Sequence, residues 1–287
     1  MSFAQTVALG ALAGFTIFLG LPVGRLQLLG NKARVALAMF SVGVLAFIFV
    51  DVMSNGIGIV DHALTAFKDD RGTLAYVVWL VVLLAVGFAA GSAGLAMIER
   101  GLRPGGAPKP PIAGGADAAA IGGAEAEPLA LELDAARRRA LRVGLTIAAA
   151  IGVHNFAEGL AIGVSARAGA ISLATVLIIG FALHNATEGF GIVGPLGDVR
   201  PSWRWIGLAG LIGGGPTFLG SIVGYAVTSD PLELAFYACA GGAILYVIGE
   251  IWNGMRRYGY RELGLLMVSA GFLVGVLTDL VVTYGGG

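Results

Sequence analysis

The chain has 287 residues, of which 57% are hydrophobic and only 13% are charged, whereas a soluble domain carries about 25% charged residues. This composition excludes a water-soluble globule with an ordinary polar surface, and the formal net charge of zero does not indicate nucleic acid as a partner. The single cysteine, Cys239, excludes an intramolecular disulfide and a cysteine-based zinc knuckle. We therefore interpret the chain as a multi-pass membrane protein.

Eight stretches of the sequence are apolar over the roughly 20 residues that a bilayer span requires. They predict an all-α membrane protein with eight transmembrane helices, separated by charged and turn-forming residues. The predicted spans are 4–24, 33–53, 73–97, 141–166, 170–194, 203–228, 232–254 and 262–284. Only a short connection separates the fourth span from the fifth, so these two helices are expected to be antiparallel neighbours.

The loops differ strongly in basic residues, which predicts the orientation of the chain. Fifteen of the 18 Lys and Arg residues fall in or beside the loops after spans one, three, five and seven. Because basic loops stay in the cytoplasm, we expect both termini to lie outside. The chain then divides into helices 1–3 (residues 1–100), a cytoplasmic loop (101–138), helices 4–5 (139–196) and helices 6–8 (197–287).

The loop at 101–138 has a different composition from the rest of the chain. It is rich in Pro, Gly and Ala, contains scattered acidic residues and closes on Arg137, Arg138 and Arg139. Too few large apolar side chains are present to offset the entropy of ordering. We predict a flexible linker, without His or Cys to capture a metal.

Glycines recur four residues apart in several spans, as in Gly10/Gly14 and Gly159/Gly163. Small residues at this spacing let helix backbones approach closely in lipid. They predict a tightly packed bundle, and a homodimer through one of these glycine faces is left open.

One six-residue pattern occurs twice, 30 residues apart, within spans four and five. The first copy is His154-Asn155-Phe156-Ala157-Glu158-Gly159 and the second is His184-Asn185-Ala186-Thr187-Glu188-Gly189. A His and a Glu four positions apart lie on the same helix face, one turn from each other. Two such helices side by side would bring together two imidazoles, two carboxylates and two amides.

Both copies fall near the middle of their spans, where a charged side chain costs about 3 kcal/mol. A divalent cation between Glu158 and Glu188 would offset that cost, and imidazole and carboxylate are ligands of zinc and related first-row ions. Asn155 and Asn185 would add amide oxygens or orient the ligands. We therefore predict a metal site between helices 4 and 5, formed by His154, Asn155, Glu158, His184, Asn185 and Glu188.

Two other interpretations of this cluster were weighed. A buried polar network that only joins two helices, or a sensor, would use similar residues but does not account for a complete repeated pattern. An intramembrane metallohydrolase would need a metal-bound water and a third strong ligand or general base. The sequence has three His residues and no His-Glu-x-x-His motif, so an enzyme is not expected.

The repeated motif resembles that of the ZIP (Zrt-, Irt-like protein) family of metal transporters. Members carry an HNxPEG-like signature in span four and a related one in span five, to which HNFAEGLAIG and HNATEGFGI are similar. Eight spans, external termini and a long loop before span four also match. The resemblance implies a multi-pass protein of the cell membrane that moves divalent metal toward the cytoplasm by an elevator-like motion. Zinc is the first candidate cargo and iron, manganese and cadmium are alternatives; no resident cofactor is implied.

The sequence departs from the family pattern in two places. Ala157 and Thr187 replace the Pro of each motif, so that the glycines after each Glu are left to supply flexibility. In span six, where members often carry a Glu before a Pro, this chain has Gly213-Gly214-Gly215-Pro216. With only two carboxylates at the midplane, we expect one tightly bound ion and not a binuclear centre.

Further acidic residues lie near the span ends. Asp51 and Asp279, with Asp61 and His62, could concentrate cations at the outer side, although ordinary interfacial positions explain them equally well. Glu250 lies near the inner end of span seven. The resemblance implies a role on the exit side of the ion pathway, and a purely structural role is equally consistent with the sequence. These three acids, Asp51, Glu250 and Asp279, are our candidates for the ion pathway.

Overall fold

The computed structural model describes residues 1–25, 30–102, 123–167, 171–226 and 229–285. The described residues are helical and contain no β-strand. The helices are α1 (Phe3–Phe15), α2 (Ile17–Gly20), α3 (Asn31–Lys68), α4 (Leu74–Ala89), α5 (Leu95–Leu102), α6 (Gly123–Arg167), α7 (Ile171–Val193), α8 (Trp203–Ala226), α9 (Asp230–Arg256) and α10 (Arg261–Gly285). A 3-10 turn over Leu21–Arg25 follows α2, a π turn over Ala90–Gly94 joins α4 to α5, and a 3-10 turn over Gly194–Leu196 follows α7.

Seven segments of the described chain are long and apolar enough to cross a membrane. They are Phe3–Arg25, Asn31–Lys68, Leu74–Gly101, Leu131–Arg167, Trp203–Ala226, Asp230–Arg256 and Arg261–Val281. The remaining predicted span, 170–194, coincides with helix α7, several of whose side chains lie outside the described residues. The described residues thus form a helical, multi-pass membrane protein, while the count of eight spans and their orientation stay predictions.

Two helices are longer than the sequence predicted. Helix α6 begins at Gly123, so the described part of the expected flexible loop at 101–138 is helical; residues 103–122 lie outside the described residues. Ala, Leu, Glu and Arg favour helix in this stretch, and Arg138 pairs with Asp134 one turn earlier. Helix α6 therefore begins before residue 138, since a polar, exposed helix lacks the apolar pattern of a span, while the division of the chain at 138 stays a prediction.

Helix α3 continues for 15 residues past the predicted end at residue 53. Asn55 stays within the helix, since its side chain donates to the carbonyl oxygen of Asp51 at 3.0 Å. Asp61 and His62, expected in a loop, lie on the exposed surface of this extension.

The helices form two bundles that share one hydrophobic core. Helices α1, α6, α7 and α8 pack together as a first bundle, and α3, α4, α9 and α10 as a second. The bundles meet where α6 packs on α9 and where α7 packs on α3 and α10. Buried apolar residues from both bundles, such as Ile151 and Ile244, belong to the same core.

Glycines bring the helices of each bundle into backbone contact. A Cβ atom added to Gly14 of α1 would overlap with the carbonyl oxygen of Gly214 in α8. A Cβ atom added to Gly159 of α6 would overlap with the carbonyl oxygen of Thr217 in α8. In the second bundle, a Cβ on Gly43 of α3 would fall on the Val268 carbonyl of α10. The predicted tight packing at small residues is therefore confirmed within each bundle.

Candidate metal centre

The two copies of the motif lie on adjacent helices of the first bundle. His154, Asn155 and Glu158 lie on α6, and His184, Asn185 and Glu188 lie on α7. Five of these side chains are buried, and that of His184 is only 13% exposed. The packing of α6 and α7 thus brings together His154, Asn155, Glu158, His184 and Glu188, whereas the Asn185 side chain is bonded to α1.

The carboxylate of Glu158 lies between the two imidazoles. Its Oε1 atom is 2.8 Å from Nε2 of His154 and also contacts Nε2 of His184. The two imidazole rings are 6.2 Å apart between centroids. Candidate ligand atoms of His154, Glu158 and His184 all lie within 4.8 Å of one another. This spacing would let one cation bind all three residues.

Glu188 lies on the other side of His154, with its Oε1 atom 3.7 Å from Nε2 of His154. Its second oxygen, Oε2, accepts a hydrogen bond of 3.2 Å from Nδ2 of Asn155. The same Nδ2 donates to the Gly213 carbonyl oxygen of α8 at 3.0 Å. Asn155 thus fixes the orientation of Glu188, and the Gly-rich stretch of α8 contributes a backbone acceptor.

The amide of Asn185 is oriented by helix α1. Its Nδ2 atom donates to the Ala13 carbonyl oxygen at 3.1 Å. That carbonyl also accepts from the Thr16 hydroxyl at 2.6 Å, at the point where the first span breaks into α1 and α2. The sequence did not indicate this break, because the stretch around Thr16 has no charge, Pro or loop composition, and the side-chain bond from Thr16 depends on the folded backbone.

Several buried polar atoms of the cluster have no hydrogen-bond partner among the described residues. They are His154 Nδ1, Asn155 Oδ1, Glu158 Oε2, Asn185 Oδ1 and Glu188 Oε1. Both amides use their NH₂ groups on protein acceptors, so their oxygens are left as acceptors without donors. Buried oxygens of this kind normally have a partner, and the carboxylates of Glu158 and Glu188 beside the imidazoles have the chemistry of a cation site.

The three acids predicted for the ion pathway lie on helices of the second bundle. Asp51 of α3 and Asp279 of α10 are exposed. The Asp51 carboxylate lies within electrostatic range of Asp279 and of the cluster residues His154, Glu158 and His184. Glu250 is half-buried on α9, and a part for Asp51, Asp279 or Glu250 in an ion pathway stays a prediction.

One buried acid was not singled out from the sequence. Glu99 of α5 is only 6% exposed, and its Oε2 atom accepts a hydrogen bond of 3.2 Å from the Tyr246 hydroxyl of α9. It lies at the end of an apolar span beside Arg100, so the sequence indicated only an interfacial charge.

Comparison with known proteins agrees with the geometry. A family model described as "ZIP Zinc transporter" matches residues 128–249. The "Zinc transporter ZupT" of Clostridium perfringens (strain 13 / Type A) is 28% identical over 150 residues, which cover 49% of this chain and 51% of the relative. The alignment with this curated relative thus extends over about half the length of each protein. Residues 128–249, which include both copies of the motif, thus match the model of the ZIP family and make this part of the chain similar to zinc transporters.

Proposed function

We propose that the protein transports divalent metal cations, zinc first among them, across the cell membrane toward the cytoplasm. The observation that carries the proposal is the buried cluster of His154, Glu158 and His184, whose candidate ligand atoms lie within 4.8 Å of one another. Iron, manganese and cadmium are alternative cargoes, since this ligand set suits several first-row ions. The direction comes from the family whose model residues 128–249 match.

In the proposed mechanism, the ion approaches past Asp51 and Asp279, whose carboxylates attract cations. It then exchanges its water for Glu158 and the two imidazoles. Glu188 supplies the second negative charge, so that the two carboxylates and one divalent ion together have no net charge. The buried amide oxygens of Asn155 and Asn185, which have no partner among the described residues, would serve as additional ligands or as acceptors for the ion's remaining water.

The arrangement of the helices supports an elevator-like step. All six cluster residues belong to the first bundle, so the site can move as one unit with that bundle. Release toward the cytoplasm would then follow from sliding of the first bundle along α3, α9 and α10, and Glu250 of α9 is the acid that we place on the exit side.

The deciding experiment is zinc uptake into proteoliposomes by the wild type and by Glu158→Gln. The amide keeps the shape of the side chain but removes the charge that the cation requires. We expect zinc affinity to fall by more than about 100-fold, since loss of a group that merely orients a ligand already costs about 10- to 100-fold, and saturable uptake to be lost.

Glu262→Gln is the matched control, because Glu262 is exposed in the first turn of α10. It should transport like the wild type, and iron, manganese and cadmium added as competitors would rank the cargoes. Normal uptake by both Glu158→Gln and His184→Ala would overturn the assignment of the site.

A further inference from the structure

The end of the molecule that carries most of its arginines has two neighbouring cavities. One has a volume of about 410 Å³ and the other of about 500 Å³, and both are lined by Asp198 and Arg200. Arg34 lines the first cavity, and Arg25 and Arg137 line the second. Four arginines and one carboxylate therefore line the two cavities, and this surplus of positive charge repels a cationic cargo and attracts an anion.

Two of these arginines are held in place by the fold. Arg25 donates to the Pro201 carbonyl oxygen at 2.6 Å and lies over the ring of Trp203, 5.0 Å from its centroid. Arg34 donates to Asp198 at 3.0 Å and to the Tyr258 hydroxyl at 3.3 Å. Their orientations are therefore fixed before any ligand binds, which reduces the entropy cost of binding.

The other two arginines are available to a ligand. Arg137 and Arg200 are exposed, and neither has a hydrogen bond or an ion pair with the residues that the structure describes. A guanidinium presents several N–H donors in one plane and binds phosphate oxygens in a bidentate manner. The cavities thus combine two fixed and two free donors of the type that recognises phosphate.

The cavities lie at the depth where apolar spans end. Arg25 is the last residue of the apolar segment Phe3–Arg25, and Arg34 is near the start of the segment Asn31–Lys68. Trp203 begins the span formed by α8 and is 60% exposed, as is typical of an aromatic side chain at the membrane interface. A ligand at this depth would meet phospholipid headgroups.

Exposed apolar side chains lie on the same two membrane-spanning segments as Arg25 and Trp203. Leu19, before Arg25, is 71% exposed, and Leu208 and Leu211 of α8 are also exposed. The first span and α8 belong to the same bundle and pack on one another. The acyl chains of a phospholipid bound by the arginines could therefore contact apolar side chains on these segments. Free phosphate has no acyl chains and could not make such contacts.

From these observations we propose that the cavities around Arg25, Arg34, Arg137 and Arg200 bind the phosphate headgroup of an anionic phospholipid. Basic pockets between transmembrane helices are a recurrent form of headgroup site. Arg34 lies on α3 of the second bundle and Arg137 on α6 of the first, so a bound headgroup contacts both. The inference rests on membrane insertion and not on the proposed transport.

The test is native mass spectrometry of the purified full-length chain incubated with phosphatidylglycerol or phosphatidylcholine. We expect the wild type to retain phosphatidylglycerol with at least about tenfold preference, and the Arg137→Gln/Arg200→Gln double variant to lose roughly tenfold in affinity for it. Neither replacement removes a hydrogen bond or an ion pair among the described residues, so folding should be preserved. Zinc binding to each preparation, measured separately, reports a folded cluster and also tests the transport proposal on its own.

Arg204→Gln/Arg261→Gln is the charge-matched control, because both arginines are exposed and neither lines these cavities. It should bind phosphatidylglycerol like the wild type. Equal losses in the two double variants would mean that only the general surface charge acts, and the site would be rejected. Displacement of the lipid by inorganic phosphate at similar concentration would also overturn the lipid assignment, in favour of a free anion.

Discussion

Glu158 is the residue on which the two halves of the candidate site converge. One of its carboxylate oxygens contacts imidazoles from both α6 and α7, and its other oxygen is buried without a partner among the described residues. A lone carboxylate in such a position is costly, whereas one that shares a cation with two imidazoles is stabilised. The chemistry of this residue thus favours an ion as its partner.

The charges around Glu158 also predict how many ions bind tightly. Glu188 is the second carboxylate in the cluster. Asn155 donates one hydrogen bond to Glu188 and another to the carbonyl oxygen of residue 213, which is a glycine and adds no carboxylate. Two carboxylates neutralise one divalent ion, and a second ion would leave about two positive charges uncompensated in a medium of low dielectric.

We expect elemental analysis of the purified protein, loaded with zinc and then freed of weakly bound metal, to give one zinc per chain. The Glu158→Gln variant, treated in the same way, should retain less than a tenth of that amount, since its site has lost one of two charges. Two tightly held ions per wild-type chain would contradict the charge argument, even if transport were normal.

At the scale of elements, glycines determine how closely α6 and α8 approach. A Cβ added at Gly159 would lie on the Thr217 carbonyl oxygen, 2.8 Å from the Ser221 amide nitrogen and 2.9 Å from Gly220 Cα. These atoms all belong to the backbone of α8, which cannot move aside as a flexible side chain can. The position of Glu158 relative to α8 therefore depends on the absence of a side chain at the next residue.

Gly159→Ala should destabilise the protein by about 1–3 kcal/mol, the usual cost of overpacking, because it forces α6 and α8 apart. The measurement is the thermal unfolding midpoint in detergent, without added metal, so that an effect on ion binding does not contribute. Gly215→Ala is the matched control, since no atom lies within 4 Å of a Cβ added there and Ala favours helix over Gly by about 1 kcal/mol. Equal stability of the two variants would show that the close approach does not limit packing.

At the scale of the whole molecule, the contacts between bundles differ from those within them. Within each bundle, glycines such as Gly14, Gly159 and Gly43 place backbone against backbone. Between the bundles, a Cβ on Gly191 of α7 would meet the Ser41 hydroxyl and a methyl group of Ile251, and one on Gly194 would meet the Ala38 methyl. Side chains can slide past one another at lower cost than interlocked backbones, and this difference supports motion of one bundle against the other.

A disulfide across this interface should stop transport. A Cβ built at Gly194 lies 2.8 Å from Cβ of Ala38, so an Ala38→Cys/Gly194→Cys variant, made in a Cys239→Ala background, can cross-link after a small adjustment. We expect oxidation to abolish zinc uptake and reduction to restore it, because the bond ties the first bundle to α3.

The matched cross-link lies within the second bundle. A Cβ at Gly87 of α4 is likewise 2.8 Å from Cβ of Ala238 in α9. Oxidised Gly87→Cys/Ala238→Cys should therefore transport like its reduced form. If both disulfides block uptake to the same extent, cross-linking acts by general rigidity and the two-bundle mechanism is not supported.

Three features could be identified from the sequence because each depends on local periodicity: the repeated motif, the apolar spans and the glycine spacing. A His and a Glu four residues apart must share a helix face, whatever the rest of the chain does, and an apolar run of about 20 residues requires a nonaqueous environment. From these features alone followed the helical membrane fold, the family resemblance and the six candidate residues His154, Asn155, Glu158, His184, Asn185 and Glu188.

Only the tertiary structure decided which partner each of these side chains has. That Asn155 donates to Glu188 and to the Gly213 carbonyl, and Asn185 to the Ala13 carbonyl beside the break at Thr16, depends on how α1, α7 and α8 pack against the motif. The same holds for the cavities that Arg25, Arg137 and Arg200 line together. Hydrogen bonds and cavities between distant segments follow from the relative positions of packed helices, which no local pattern encodes.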